Sequence, residues 1–273
     1  MKIDLHTHTS VSDGVLSPEA LLDRAVEMDV DMLSITDHDS IAAYKNISSW
    51  KEYPLRIIPG IEFSTQWCGV GVHIIGLNFN LKGRSIIEGV ASQSEARGRR
   101  SELIAERLTK AGLRINFERV QEIANFSNVG RPHFAQYMVE AGLVNTSATA
   151  FNKYLGDGKI GDVKQCWAEL PQIISWIVES GGVAVIAHPL KYKMTRSKLI
   201  RLVDDFKQAG GLAMEVVSGT QTKVETNMLT RLCQEKSLLA SCGSDFHQPT
   251  TWSELGKITP FSPDCEPVWS LFD

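Results

Sequence analysis

Apolar positions change period along this chain, and the changes mark out its elements. A short apolar-containing run at 2–5 is followed, behind Ser17-Pro18, by Ala20, Leu21, Leu22, Ala25 and Val26 at helical spacing within 19–27. Ser17 can cap that helix, with Pro18 at its first position, where a missing N–H costs nothing. The spacing predicts strands over 32–36, 56–62 and 72–78 and a helix over 41–50. Farther on it predicts helices over 171–179, 197–208 and 223–235, with strands over 183–187, 212–217 and 238–242. Such alternation implies a parallel sheet with helices outside it, closed or open.

The rhythm breaks between about 85 and 162. Residues 86–111 form one long helical stretch, and 117–124, 132–141 and 149–155 also have helical spacing, with no strand between them. The chain therefore divides into a discontinuous α/β part, 1–84 with 166–273, and an inserted helical part, 85–165. Eleven Lys or Arg stand against nine Asp or Glu from 86 to 165, although the whole chain has a formal net charge of -4. The insertion is the less acidic part.

Composition narrows the class. A length of 273 residues suits one large domain or a barrel-sized domain with an insertion, and a hydrophobic fraction of 43% suffices for a sizeable core. The negative net charge sets up no global basic field of the kind that announces nucleic-acid binding, so a polyanion would have to meet a local patch. No apolar run approaches the ~20 residues that span a bilayer. The chain passes from Met1-Lys2 straight into Ile3-Asp4-Leu5-His6, without a signal-peptide pattern. A cytoplasmic protein with no membrane partner is expected. Cys68, Cys166, Cys233, Cys242 and Cys265 are odd in number and not closely paired, which argues against a disulfide framework and a thiolate metal site. They read as small, mostly buried thiols.

The chemistry lies in the histidines. His6 and His8, two apart at the end of a strand, point to the same side and can grip one ion. Later strands end in the same residue types: Asp37-His38-Asp39, Glu62, His73, His188 and Asp245-Phe246-His247. In a parallel α/β barrel the carboxyl ends of the strands share one face, so these residues would converge. Imidazoles with carboxylates suit Zn²⁺, Mn²⁺ or Fe²⁺, and a cluster this rich should hold more than one ion. Glu62, with two oxygens, could bridge a pair. Ions roughly 3.5–4 Å apart clamp a phosphate and generate hydroxide near pH 7, which fits hydrolysis of a phosphate ester.

Asp4-Leu5-His6-Thr7-His8, Ser12-Asp13-Gly14, Ile35-Thr36-Asp37-His38-Asp39, Gly60-Ile61-Glu62, Ala187-His188-Pro189 and Gly243-Ser244-Asp245-Phe246-His247 occur in the order of the motifs of the PHP (polymerase and histidinol phosphatase) family, which the chain resembles over nearly its whole length. The resemblance implies an α/β fold, a distorted (β/α)7 barrel, with three divalent ions. It assigns His6, His8, Glu62 and Asp245 to one ion, Glu62, His73 and His188 to a second, and Asp13, His38 and His247 to a third. Glu62, Asp245 and His188 would form the catalytic centre. Mn²⁺ is the expected metal, and Fe²⁺ or Zn²⁺ would accept the same ligands.

Within the family, the insertion together with Val129-Gly130-Arg131-Pro132-His133-Phe134-Ala135 and His188-Pro189-Leu190-Lys191-Tyr192 resembles the bacterial subgroup that acts on nucleoside 3′,5′-bisphosphates and trims short RNA from the 5′ end. A nucleotide or short RNA is then the expected partner, with no obligate protein partner. The family usually has Gly in the turn Glu27-Met28-Asp29-Val30, where Asp can also adopt the left-handed conformation.

Other polar residues carry further expectations. Asp39 is expected to cap the helix that follows it, and Asp37 to orient an imidazole. Arg131 and His133 are expected to anchor an anionic substrate, against the alternatives of an ion-paired arginine and a satisfied helix-start histidine. Lys191, Tyr192 and Arg196 are expected on a loop at the active face, within reach of phosphate. Arg97, Arg99 and Arg100 have Glu95, Glu102 and Glu106 at helical spacing, so a solvated ion-paired face is expected there. Two competing functions stay open: a small-metabolite phosphatase, such as a histidinol-phosphate hydrolase, and a non-catalytic metal-binding interaction module.

Overall fold

In the computed structural model, residues 1–46, 50–124, 129–164, 166–260 and 264–272 are described. Seven strands follow one another in a single sheet: β1 (Ile3–Thr7), β2 (Met32–Ile35), β3 (Arg56–Trp67), β4 (Val70–Leu77), β5 (Val183–Ile186), β6 (Ala213–Ser218) and β7 (Leu239–Gly243). Beyond β7 the chain returns to the start of the sheet. The Asp245 amide donates to the His6 carbonyl at 2.9 Å and the His8 amide to the Phe246 carbonyl at 2.8 Å. A parallel bridge joins Thr7 to Phe246, so the sheet is nearly shut into a barrel. At Gly243 a Cβ would stand 2.3 Å from that of His6, so only glycine lets the two strands approach this closely.

The expectation of a wholly parallel sheet needs correction. β1–β2, β2–β3, β5–β6 and β6–β7 are parallel, but β4 runs antiparallel to both β3 and β5. The reason is local. Cys68 and Gly69 form a two-residue loop, both in the left-handed region at φ 46° and 77°, the hairpin turn that suits the right-handed twist of paired strands. β3 runs past Glu62 to Trp67, so Glu62 lies within a strand, where β3 stops pairing with β2 and continues beside β4.

Helices α1 (Pro18–Glu27) and α2 (Ala42–Asn46) flank β2. Ser17 caps α1, accepting the Ala20 amide at 3.2 Å, and Asp29 takes the left-handed turn after it at φ 53°. Of the helix expected over 41–50, Ala42–Asn46 is helical and 47–49 lie outside the described residues. Between β4 and β5 come α3 (Arg84–Lys110), α4 (Phe117–Ile123), α5 (Arg131–Glu140), α6 (Ser147–Ala150) with a π-helical turn after it, and α7 (Leu170–Glu179). Helices α8 (Arg196–Gln208) and α9 (Lys223–Glu235) complete the outer layer.

Three apolar clusters hold these parts. The largest lies between the strands and α7, α8 and α9, around Ile174, Leu202, Phe206 and Leu229. A second seats α1 on β2 through Leu21, Leu22, Leu33 and Phe246. The third belongs to the helices of 104–163 alone, with Ile104, Leu108, Phe134, Met138 and Leu155 fully buried. The first half of α3 lies on α7, where Gly89 admits the Trp176 ring against the helix backbone. Among the described residues no helix is long and apolar enough to cross a membrane. The five cysteines are free, three of them buried.

Candidate metal centre

Glu62 is the middle of the site. The register sets Ser64 opposite His73, and alternation along β3 puts Glu62 on the same face as Ser64, so His73 leans onto Glu62, Nδ1 to Oε1 at 2.9 Å. His188, just beyond β5, reaches the same oxygen with Nε2 at 2.9 Å. His38 follows β2, is bridged to Glu62 in the sheet, and lies with Nδ1 2.9 Å from Oε2. His6 and His8 approach from β1, with Nε2 atoms 3.4 Å from Oε1 and Oε2 respectively. Asp245 sits beside both, at 3.4 and 3.3 Å.

Asp13 is carried by the loop after β1. Gly14 lets this loop fold back, since a Cβ there would lie 2.3 Å from the His8 carbonyl oxygen. Asp37 fixes the loop by accepting the Thr9 amide at 2.8 Å, the Thr9 hydroxyl at 2.6 Å and the Ser12 hydroxyl at 2.6 Å. It thus positions a carboxylate loop instead of orienting an imidazole. Asp13 then meets His247 at 3.3 Å, His38 at 3.7 Å and His8 at 3.8 Å. Four groups have donor atoms within 4.8 Å of one another: His8, Asp13, His38 and His247; His6, Glu62 and His188; His6, His8 and Asp245; and His38, Glu62 and His73.

These charges shape one another. Burial opposes ionisation of Glu62, yet the imidazoles of His73, His38 and His6 hold its carboxyl well below the usual range. Burial also opposes ionisation of Asp245 and Asp13, which are held low chiefly by His6 and Lys191 and by His38. Burial and the neighbouring His247 push His8 down to about 3, while Asp13 outweighs burial at His247 and lifts it to about 9. Against burial, Glu215, Glu62 and Asp245 raise His6 well above its ordinary value.

Glu215 was invisible from spacing. It stands fully buried within β6, accepts from His6 Nδ1 at 3.0 Å and takes the His188 amide at 2.5 Å. With an ion bound, a proton held on Nδ1 by Glu215 would leave His6 Nε2 to the ion, the orienting role that a partner of a ligating histidine plays. The signal that could have found it is a lone carboxylate among Ala213, Met214, Val216 and Val217. Glu215→Gln is expected to lower metal affinity and turnover about 10- to 100-fold, because the amide can present an N–H to the same ring nitrogen. Metal titration with kinetics on the same preparation would check it; unchanged affinity would sink it.

A cavity of about 470 Å³ opens from this centre, and its lining joins Glu62, His188 and Asp245 to Arg97, Arg100, Arg131 and Trp167. The helical face expected to be solvated is only partly so. Arg99 pairs with Glu95 at the surface, but Arg97 and Arg100 are buried and their guanidiniums lie about 5.2 and 5.1 Å from the centre of the Trp167 ring. Burial, with Arg131 and Arg97 close by, lowers Arg100 to about 9. Arg97 binds Asp39, its Nε at 3.1 Å. Asp39 is therefore not the cap of α2: it also takes the Ser64 amide at 2.8 Å and the Gln93 amide at 3.0 Å, and Ser40 serves Ala42.

The remaining expected substrate contacts divide. Arg131 lines the cavity, donating to the Leu155 carbonyl at 3.0 Å, with Asp157 and Asp162 at 3.8 and 3.7 Å. Lys191 lines it too, on the Asp245 carboxylate. Tyr192 lines it as well, with its hydroxyl held by the backbone: it takes the His73 amide at 2.9 Å and donates to Ala187 at 2.8 Å. His133 accepts the Gly130 amide at 2.9 Å, which closes the first turn of α5, and it is not among the lining residues. Arg196 lies on α8 with Glu235 at 3.1 Å, away from the lining.

A nearly shut barrel of this topology, with imidazoles and carboxylates gathered at its mouth, is the architecture of a metal-dependent hydrolase. The chain belongs to the PHP domain family, whose model matches residues 4–179. It is 44% identical over 273 residues to the 5′-3′ exoribonuclease Rnm of Escherichia coli (strain K12), covering 99% of this chain and 93% of that one. It is 36% identical over 270 residues to the 3′,5′-nucleoside bisphosphate phosphatase of Chromobacterium violaceum, covering 98% and 95%. Among solved structures, an amidohydrolase from Chromobacterium violaceum with bound sulfate and no metal matches with a TM-score of 0.89 at 34% identity, over 99% of this chain and 95% of that one.

Proposed function

We propose that this chain is a metal-dependent phosphoesterase that removes the 3′-phosphate of nucleoside 3′,5′-bisphosphates and trims short RNA from its 5′ end. One observation carries the reading: a single cavity is lined both by a donor set suited to metal ions and by three arginines. His6 Nε2 and both ring nitrogens of His8 are buried without a hydrogen-bond partner. Buried polar atoms left so are costly unless something else satisfies them, and divalent ions fit this donor set.

The assignment of ligands follows the resemblance: His6, His8, Glu62 and Asp245 for one ion, Glu62, His73 and His188 for a second, and Asp13, His38 and His247 for a third, with Mn²⁺ the expected metal. Bound ions would supply Lewis acidity toward phosphoryl oxygens and an ionised water. The chain's own contribution is placement. Glu215 and Glu62 fix the imidazoles, Asp37 fixes the loop that carries Asp13, and Arg97, Arg100 and Arg131 face the second phosphate of a bisphosphate or the 5′-phosphate of RNA. Residues 85–165 act as the unit that roofs this cavity.

The decisive experiment presents Mn²⁺-loaded protein with adenosine 3′,5′-bisphosphate, a 5′-phosphorylated RNA hexamer and histidinol phosphate. Phosphate is expected from the first and mononucleotides from the second. The third should show a kcat/KM at least about 100-fold lower, since it leaves the guanidinium wall unmatched. Absence of any product from both nucleotide substrates would end the reading.

A further inference from the structure

A second cleft, of about 380 Å³, meets the first at Lys191, which lines both. Its walls include Ser218, Thr220, Gln221, Trp252 and Lys257, none of which belongs to the metal-type groups. Trp252 is 80% exposed, and no other aromatic among the described residues is exposed. The ring is not on a loose end. Thr250 accepts the amides of Trp252 at 3.2 Å and Ser253 at 2.9 Å, and its own amide donates to Ser253 at 2.9 Å. Lys257 ties down the same turn through the Thr251 carbonyl at 2.8 Å.

The charges of the cleft suit a polyanion. Of its two glutamates, Glu254 is held by Arg24 through two contacts at 2.8 and 2.5 Å, and Glu225 caps α9, taking the Thr222 amide at 2.8 Å. Lys191 and Lys257 are the cations on its walls. Another cleft leaves the metal centre past Val15, Gln136 and Glu140, but Asp13 and Glu140 line it and no Lys or Arg among the described residues does. The first cavity has the volume of a single small-ligand site, so a strand longer than one nucleotide must leave it.

We infer that the Trp252 cleft takes the RNA strand on the 3′ side of the scissile phosphate, with a base stacked on the indole and a phosphate beside Lys257. The inference rests on the RNA-trimming reading above. An exposed aromatic next to a cation is the usual means of holding single-stranded nucleic acid without regard to sequence. A mononucleotide bisphosphate ends before this cleft and should not sense it.

The test compares Trp252→Ala, Trp252→Phe and Lys257→Gln with the unaltered protein on adenosine 3′,5′-bisphosphate and on a 5′-phosphorylated RNA hexamer. Trp252→Ala should raise the hexamer KM about fivefold or more, with Trp252→Phe staying within about twofold, in line with the usual loss of one stacked base. Lys257→Gln should weaken the salt dependence of the hexamer KM. All three should leave kcat/KM for the bisphosphate within about twofold of the unaltered protein, because no stacked base is lost there. An unchanged hexamer KM in Trp252→Ala overturns the inference, as does an equal rise on both substrates. Unaltered protein that turns over the bisphosphate and leaves the hexamer intact also overturns it while sparing the phosphatase reading. Failure on both substrates instead removes the proposed function itself.

Discussion

Glu62→Gln should abolish turnover, lowering kcat by about 10³-fold or more, with a parallel loss of bound metal. The reason is the density of contacts on one carboxylate. His73 and His188 lie 2.9 Å from one oxygen, and His38 lies 2.9 Å from the other, with His6 and His8 half an ångström farther out. Glutamine has nearly the same volume but replaces one acceptor oxygen with a two-proton donor, which takes a ligand atom from the centre and removes the charge that couples the groups. Elemental analysis and steady-state kinetics on one preparation read both effects. A variant with full metal content and more than about a tenth of the turnover would show that Glu62 is not the bridge.

Arg97→Met has the largest expected effect on folding. Asp39 is fully buried and Arg97 nearly so, and removing the guanidinium strands a carboxylate that keeps only neutral partners, the amides of Ser64 and Gln93 and the Ser64 hydroxyl. Breaking a buried pair from one side costs about 3–5 kcal/mol, which urea denaturation would read as a lower midpoint at unchanged slope. The double variant Asp39→Asn with Arg97→Met should recover much of that loss, since it removes the stranded charge. A single variant within about 1 kcal/mol of the unaltered protein would mean that the pair is solvated in practice. Because Arg97 also faces the cavity, the substrate KM should rise in the single and double variants alike.

The part of the site that lies at strand ends was legible because its residue types are unusual there. His6, His8, His38 and His188 interrupt or end apolar runs, and Asp245 with His247 does so after β7. What stayed hidden had ordinary local explanations. The spacing of Arg97 and Arg100 to nearby glutamates fits surface pairing, and only the course of the chain back to Val163 and Trp167 turns that face inward. Glu215 is one polar residue in an apolar strand, which spacing averages away. The reversal of β4 depends on two left-handed residues, Cys68 and Gly69, of which cysteine gives no turn signal. His133 and Arg196 have local partners that spacing does not reveal. Their residue types suit phosphate, and the structure gives His133 a helix-start contact and Arg196 a surface ion pair.

Two positions in the centre hold a left-handed backbone without being glycine: His188 at φ 26° and Asp245 at φ 53°. Conformations of this kind cost about 1–3 kcal/mol each and persist where the surroundings enforce them, here with Glu215 on the His188 amide and the His6 carbonyl on that of Asp245. Glycine would adopt either backbone without that cost, whereas His188 and Asp245 bring the side chains that meet Glu62 and His6. Descendants freed from hydrolysing phosphate esters should drift to glycine at these two points first, and emerge as sturdier barrels that have lost their trade.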